Sequence, residues 1–157
     1  MSAHTQLVVF RLDKQRYAVP LAVVERIVRA VEVTPLPKAP AIVLGVIDVE
    51  GRVLPVFNIR RSFHLPEREI SIADQFLIAQ TARRTVVLAV DETQGVIERP
   101  SAQIVDPVQI VPGIERVQGV AKLDDGLVLI YDLERFLSLD EARALDEAMN
   151  QEVAHGL

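Results

Sequence analysis

The chain has 157 residues, half of them apolar, so it can bury the core of one domain or of two small subdomains. Seventeen basic and twenty-two acidic residues give a net charge of −5, which argues against nucleic acid as a partner because attraction to phosphate backbones is missing. Cysteine is absent, which excludes disulfides, thiolate metal sites and cysteine nucleophiles.

The N-terminal sequence lacks the charged start, the long apolar run and the small-residue cleavage site that mark a signal peptide. No later run approaches the ~18 uninterrupted apolar residues that predict a membrane-spanning helix. We therefore expect a cytoplasmic protein without direct membrane insertion.

Ten short runs rich in Val and Ile, each bounded by Gly, Pro, Asp or a charged pair, predict β-strands. They cover residues 7–12, 16–21, 26–33, 44–49, 52–58, 75–81, 84–90, 95–100, 117–123 and 127–132. Compact polar connections suit hairpins, and Gly51 and Gly126 supply the positive φ that tight turns need. Strands of this length and spacing predict an all-β protein, either a barrel or a sandwich.

A helix is predicted only near the C-terminus, over about residues 139–153. Ser138, followed three residues later by Glu141, forms a capping box at its start. Apolar residues then recur every three or four positions: Leu139, Ala142, Leu145, Met149 and Val153. We expect this apolar face to pack on the β-structure.

Two runs, residues 45–63 and 119–137, resemble each other at an offset of 74 residues. Three of nineteen aligned pairs are identical, and both copies have the order glycine, strand, turn, strand. Asn58 and Asp132 then occupy equivalent positions, and both residue types favour a helix N-cap because their side chains accept an amide hydrogen bond. The pattern predicts two similar halves, residues 1–70 and 71–137, each building its own barrel.

The histidines give no sign of a metal site. His4, His64 and His155 are scattered and lack metal-ligand spacing. The sequence also has no nucleophile elbow, phosphate-binding loop or dinucleotide fingerprint. We expect no metal, no cofactor and no enzymatic activity.

Adjacent charges are interpreted as surface features. The acidic pairs at 91–92 and 124–125 are assigned to turns, because acid-base catalysis needs carboxylates that converge on a cleft. The arginine pairs at 60–61 and 83–84 are interpreted as solvated charge, since aromatic residues make up only 4% of the chain and offer no stacking platform.

One apolar set suggests protein binding. Leu21, Val24 and Ile27 are spaced by three, as on one side of a helical turn, directly after Pro20. Val8, on the preceding strand, could extend the same face. Two interpretations stay open: a turn that faces the core, or an apolar groove that receives a partner's helix.

Four blocks carry a family resemblance: FRLDKQRYAVPLAVVERIV, TPLPKAPAIVLGVIDVEGRVLPVFNIRRSF, VVLAVDETQGVI and VQGVAKLDDGLVLIYDLERFL. They follow the order of the CheW family, the adaptor of bacterial chemotaxis arrays, and the chain resembles that family over about residues 6–150. The resemblance implies two intertwined five-stranded SH3-like β-barrels around a shared hydrophobic core, with a C-terminal helix.

The resemblance also implies a non-enzymatic scaffold that couples the cytoplasmic tips of methyl-accepting chemotaxis receptors to the regulatory domain of a CheA-type histidine kinase. Such a protein would be cytoplasmic and recruited to membrane-associated receptor arrays, with its barrel ends meeting the kinase. The implied receptor-facing groove and its surroundings comprise Val8, Leu21, Val24, Ile27, Gly45 and Glu50.

Two other functions stay open. A CheW-like adaptor could serve another chemosensory pathway, such as type IV pilus motility. From a different class, a small β-barrel ligand-binding protein or enzyme would need a polar cleft with convergent titratable groups, and the sequence offers no such cluster.

The chain departs from the family at Glu50. Residues 45–51 read GVIDVEG where the family usually has Gly-Val-x-Asn-Leu-Arg-Gly, so a glutamate stands in place of an arginine used near the receptor. One hypothesis is that Glu50 marks a partner with a compensating basic residue, because an unpaired charge reversal at a contact costs affinity. The alternative is a tolerated exposed turn residue.

Overall fold

A computed structural model describes residues 3–106 and 116–154, with side chains placed through residue 151. Eleven strands and one α-helix lie in this part of the chain, together with three short 3₁₀ turns at Leu21–Val23, Ile59–Phe63 and Ser101–Gln103. The elements in chain order are β1 (His4–Leu12), β2 (Gln15–Pro20), β3 (Val24–Arg29), β4 (Val43–Val49), β5 (Arg52–Phe57), β6 (Gln75–Gln80), β7 (Thr85–Val90), β8 (Glu92–Pro100), β9 (Ile104–Val105), β10 (Val117–Leu123), β11 (Gly126–Tyr131) and α1 (Leu139–Ala154). All ten predicted strands are present, and β9 adds an eleventh of two residues.

The strands form two sheets. The first sheet has the order β8-β1-β2-β11-β10-β9, and the second has the order β3-β6-β7-β5-β4. The second sheet curls so that Thr34, beyond the end of β3, bridges Val46 of β4 at the opposite edge. The predicted all-β double-barrel fold with a C-terminal helix is confirmed, although the short β9 makes the first sheet six-stranded.

The halves are interleaved between the sheets. β1 and β2 lie in the first sheet, β3 to β7 form the second, and β8 to β11 return to the first. The expectation that each half builds its own barrel is therefore wrong, because both halves contribute strands to both sheets. The repeat itself is visible in the hairpins: the β4–β5 register slips between Val43 and Gly45, and the β10–β11 register slips between Val117 and Gly119.

A shared core lies between the two sheets. β1 shows how one strand serves two cores, because Leu7 and Val9 pack in the first sheet's own core while Val8 and Phe10 pack in the shared core. β6 does the same for the second sheet, with Leu77 in the shared core and neighbouring residues in that sheet's own core. Strands buried on both faces explain why these runs are continuously apolar instead of alternating with polar residues.

The C-terminal helix packs on the shared core as predicted. The capping box at its start is formed, with the Ser138 amide donating to Glu141 (2.9 Å) and the Glu141 amide donating to the Ser138 hydroxyl (3.1 Å). Leu145 and Met149 are buried, but Leu139 is 75% exposed because it lies on the first turn, before the helix reaches the core. The predicted apolar position Val153 and His155 lie outside the residues whose side chains the structure describes.

We predict that two identical substitutions on α1 have different effects. Leu145→Ala should lower the free energy of unfolding by about 3 kcal/mol, since it removes a fully buried side chain from the shared core. Leu139→Ala, the matched control, should change it by less than about 0.5 kcal/mol. Urea denaturation measures both. Equal effects would contradict the packing of α1 on the core.

Candidate protein-binding site

The predicted apolar set lies on a 3₁₀ turn and a strand. Leu21 begins the short turn that follows β2, while Val24 and Ile27 are on β3, so the interpretation of one helical turn is wrong. In a regular strand, residues three apart point to opposite faces. Here a bulge between Val24 and Arg26 inserts one residue, so Val24 pairs with Ala79 and Ile27 pairs with Leu77. Both side chains therefore share one face.

That face is turned toward the shared core. Leu77 and Ala79 belong to the core, and Leu21 and Val24 pack against it half-buried. Ile27, further along the edge strand β3, is 37% exposed. The expected common face is present for Val24 and Ile27, but it results from the bulge in β3 and not from the helical turn that the spacing predicted.

The first sheet contributes a residue that the sequence reasoning missed. Val96 of the edge strand β8 lies opposite Val8 of β1, so both side chains are on the face turned toward the shared core. Val8 is buried at 2% exposure, whereas Val96 is 54% exposed. Sequence alone does not reveal that β8 is an edge strand, and so gives no warning that Val96 is uncovered.

We call Leu21, Val24, Ile27 and Val96 the apolar margin. Leu21 and Val24 pack against the shared core, whereas Ile27 and Val96 lie on the edge strands β3 and β8, on the faces that carry core residues of the paired strands. Val8, opposite Val96, lies within that core. Of the six predicted residues, the structure thus places three in the margin and one beneath it. Gly45 and Glu50 are on the β4–β5 hairpin, which is last in the strand order of the second sheet but is brought next to β3 by the curl of that sheet.

Gly45 is required by a close approach of the backbone. It is buried with a φ of +153°, and a Cβ atom at this position would lie 2.2 Å from the Thr34 carbonyl oxygen. Thr34 forms the bridge to Val46 that joins the segment after β3 to β4. Gly45 therefore allows the close backbone approach on which the curl of the second sheet depends.

Glu50 is paired within its own chain. Glu50 and Gly51 form the two-residue turn between β4 and β5, with φ values of +51° and +85°, as the sequence predicts for a tight hairpin. The Glu50 carboxylate, 77% exposed, lies 3.2 Å from the guanidinium of Arg26 on β3. A second pair, Glu25 with Arg52, runs beside it between the same elements. The charge reversal thus has a compensating arginine in the chain itself.

A buried ion network fixes the start of β8. Asp91, the residue before β8, accepts hydrogen bonds from Arg60 (2.6 Å) and Arg68 (2.8 Å) and from the Asp13 amide (2.8 Å). The Arg60 side chain is only 7% exposed and the Asp91 side chain 9%. The interpretation as solvated charge is therefore wrong for Arg60, and Asp91 is a buried ion-pair partner as well as a residue of the β7–β8 connection. Their partners are too distant in sequence for any local pattern to show them. The other acidic pair, Asp124 and Asp125, lies in the turn between β10 and β11 as predicted.

The pKa of Asp91 reflects two opposing effects. Burial by itself would raise it, but hydrogen bonds from Arg60 and the Asp13 amide, with the charges of Arg60 and Arg68, hold the pKa of this carboxyl below its usual value. The network therefore stabilises the ionised form of Asp91.

The equivalent turns after the two hairpins differ in their caps. The Asp132 side chain accepts a hydrogen bond from the Glu134 amide (3.1 Å), as predicted. Asn58 makes no side-chain cap bond to the turn Ile59–Phe63, so that part of the prediction is wrong.

Within the described residues, no group of three or more His, Asp or Glu side chains is placed to hold a metal ion. Burial raises the pKa of Tyr17 to about 12, with the Asp13 carboxylate adding to the shift, so this phenol stays neutral. In residues 3–106 and 116–154, no helix combines the length and the apolar character that crossing a bilayer requires.

Two interleaved β-sheets around a shared core, followed by one C-terminal helix, define the class of the molecule as a mostly-β protein with two packed sheets. The family model described as "CheW-like domain" matches residues 6–141, and the chain belongs to this family of chemotaxis adaptors, which are not enzymes.

Named relatives agree with this assignment. The chain is 27% identical to the chemotaxis protein CheW of Treponema pallidum over 146 residues, which are 89% of this chain and 86% of that protein. It is 28% identical to the chemotaxis protein CheW of Rhizobium meliloti over 141 residues, 88% of this chain and 91% of that protein. The crystal structure of the scaffolding protein TtCheW from Thermoanaerobacter tengcongensis matches with a TM-score of 0.79 at 25% identity, covering 90% of this chain and 96% of that one.

We predict that two glycines of one hairpin differ in their tolerance of alanine. Gly45→Ala should lower the free energy of unfolding by about 3 kcal/mol or more, because its Cβ would collide with the Thr34 carbonyl. Gly51→Ala has open space around it and should cost only about 1 kcal/mol for its left-handed φ. Thermal denaturation compares the two. A Gly45→Ala protein as stable as Gly51→Ala would refute the close approach.

The Asp91 network predicts a pH dependence. Because the folded-state pKa of Asp91 lies below its unfolded value, its contribution to stability is present above about pH 4 and is lost as the pH falls through the folded pKa. Asp91→Asn should cost about 3 kcal/mol at pH 7, since it removes a charged partner of buried Arg60. Between pH 7 and pH 3, the free energy of unfolding of this variant should also fall by less than that of the unaltered protein.

Asp125→Asn is the control for this experiment, because Asp125 is an exposed carboxylate that pairs with Arg16. It should leave the stability at pH 7 nearly unchanged. Denaturant titrations from pH 7 to pH 3 give both quantities, and an unaltered acid response in Asp91→Asn would show that another group is responsible.

Proposed function

We propose that this protein couples the cytoplasmic tips of methyl-accepting chemotaxis receptors to the regulatory domain of a CheA-type histidine kinase, without catalysing a reaction. The observation that carries the proposal is the apolar margin, where Ile27 and Val96 leave 37% and 54% of their surface exposed beside a buried core. Exposed apolar side chains that continue a core typically mark a contact with another protein.

The margin suits a helical partner. Ile27 and Val96 each lie on an edge strand, one in each sheet, and Leu21 and Val24 are half-buried beside the core. An amphipathic helix, such as one from the hairpin at a receptor tip, could place its apolar face on such side chains. Few apolar residues are exposed, so the contact would be of moderate area and reversible, as a signalling contact requires.

The barrel ends are proposed to meet the kinase. At the β10–β11 turn, Leu127 is 40% exposed beside the ion pair of Arg16 with Asp125. An exposed apolar residue flanked by charges resembles the composition of a small protein interface. Through these two contacts the cytoplasmic protein would be recruited to membrane-associated receptor arrays.

We propose that Glu50 is a tolerated turn residue and does not require a compensating basic residue in a partner. The hypothesis of a partner with a compensating base rested on an unpaired charge, and Arg26 already supplies the opposite charge at 3.2 Å. A partner would therefore meet two neighbouring ion pairs, Glu50 with Arg26 and Glu25 with Arg52, whose opposite charges cancel.

An adaptor of another chemosensory pathway would use the same surfaces, and the relatives named as chemotaxis proteins favour the first assignment.

We predict that Ile27→Ser and Val96→Ser each weaken binding to a purified receptor-tip fragment by about tenfold, because each removes apolar area from the contact. Leu139→Ser is the matched control, since Leu139 is more exposed and lies on α1. It should bind as the unaltered protein does. Isothermal titration measures the affinities.

Sedimentation with receptor-bearing membranes and a CheA-type kinase tests the complete function. The protein should carry kinase into the pellet, and Ile27→Ser should reduce this recruitment. A protein that binds neither receptor nor kinase would exclude the proposed coupling.

A further inference from the structure

A second apolar surface lies on the other side of the second sheet. A groove of about 480 Å³ is bounded by residues 30–33, Leu44 of β4 and residues 68–72, and we call it the outer groove. Its half-buried apolar residues Val33, Leu44 and Ile70 pack on the second sheet's own core and not on the shared core. The outer groove is therefore distinct from the apolar margin.

Two side chains of the outer groove are conspicuously uncovered. Val31 is 53% exposed and Ile72 is 94% exposed. Single exposed apolar residues are ordinary on protein surfaces, but here they adjoin three half-buried ones along one groove. The groove therefore offers several apolar side chains that an inserted apolar side chain can contact at once.

Backbone groups along one side of the outer groove, in residues 31–33, lack hydrogen-bond partners among the described residues. The Ala30 amide donates to the Asp74 carbonyl (3.0 Å), and Thr34 exchanges two hydrogen bonds with Val46 (2.7 and 2.9 Å). Between them, Val31, Glu32 and Val33 run without a turn or bend, and within the described residues their amides and carbonyls make no hydrogen bond. The sequence pattern had predicted strand through residue 33, so a strand-forming segment stands here without a neighbouring strand. Such an edge can pair with an added strand.

The negative charge at the rim of the outer groove favours a partner with basic side chains. Its charged residues are Glu32, Arg68 and Glu69. Arg68 is committed to Asp74 (2.7 Å) and Asp91 (2.8 Å), while Glu32 and Glu69 have no ion-pair partner among the described residues. The rim is therefore negative and attracts lysine or arginine side chains.

We infer that the outer groove binds an extended segment of a partner protein, which adds as a strand beside residues 31–33, inserts branched apolar side chains against Val31 and Ile72, and places basic residues near Glu32 and Glu69. A second copy of this chain is a poorer occupant, because a two-fold contact would bring the acidic rims of both copies together. The inference does not depend on the proposed receptor and kinase coupling.

The test uses the full-length protein and a synthetic seven-residue peptide that alternates Lys with Val or Ile. Amide chemical shifts should change at residues 31–33, and the affinity should fall as salt is raised. Ile72→Ser should weaken binding about tenfold, since the peptide loses an apolar contact. The double variant Glu32→Gln/Glu69→Gln should weaken binding and reduce its salt dependence.

Matched controls distinguish binding in this groove from non-specific binding of the peptide. Leu139→Ser and Glu147→Gln change an exposed leucine and an exposed glutamate on α1 and should leave the affinity unchanged. A peptide with Glu in place of Lys, and one N-methylated at alternate amides, should bind at least tenfold more weakly than the basic peptide.

The inference is overturned if the basic peptide does not bind, if either control peptide binds equally well, or if Ile72→Ser leaves the affinity unchanged. It is also overturned if the shifts map to another surface. Sedimentation equilibrium without peptide completes the test: a dimer that Ile72→Ser dissociates would identify a second copy as the occupant instead.

Discussion

The burial of single strands on both faces is the constraint on which the rest of this structure depends. β1 packs Leu7 and Val9 into one core and Val8 and Phe10 into another, so it cannot be withdrawn from either without exposing apolar surface on both sides. Since both sheets and α1 meet in the shared core, the two barrels cannot separate as independent domains. The interleaved chain path, in which both halves supply both sheets, reinforces this unity.

The apolar margin is a consequence of that core and is held in place by polar contacts around it. The network of Arg60, Arg68 and Asp91 connects the start of β8 to residues from both sheets, while the bulge in β3 turns Val24 and Ile27 to one face. The close-packed shared core and the buried charges of Arg60 and Asp91 both resist local rearrangement.

The two proposed binding surfaces differ in chemistry. The margin offers apolar side chains next to crossed ion pairs that are locally neutral, which suits the apolar face of a helix. The outer groove combines apolar side chains with unused backbone groups and a negative rim, which suits a basic extended strand. The half-buried residues of the two surfaces pack on different cores, the shared core for the margin and the second sheet's own core for the outer groove.

The sequence by itself determined the strands, the hairpin turns, the capping box of α1 and the 74-residue repeat, because each depends on signals within a few neighbouring residues. The tertiary structure alone decided which sheet each strand joined, that Arg60 and Asp91 meet across 31 residues, and that Val96 stands uncovered on an edge strand. It also placed the Glu50 carboxylate beside the guanidinium of Arg26. These outcomes follow from pairing between distant segments, which local periodicity does not encode, so the candidate site was only partly visible before the strands were assembled.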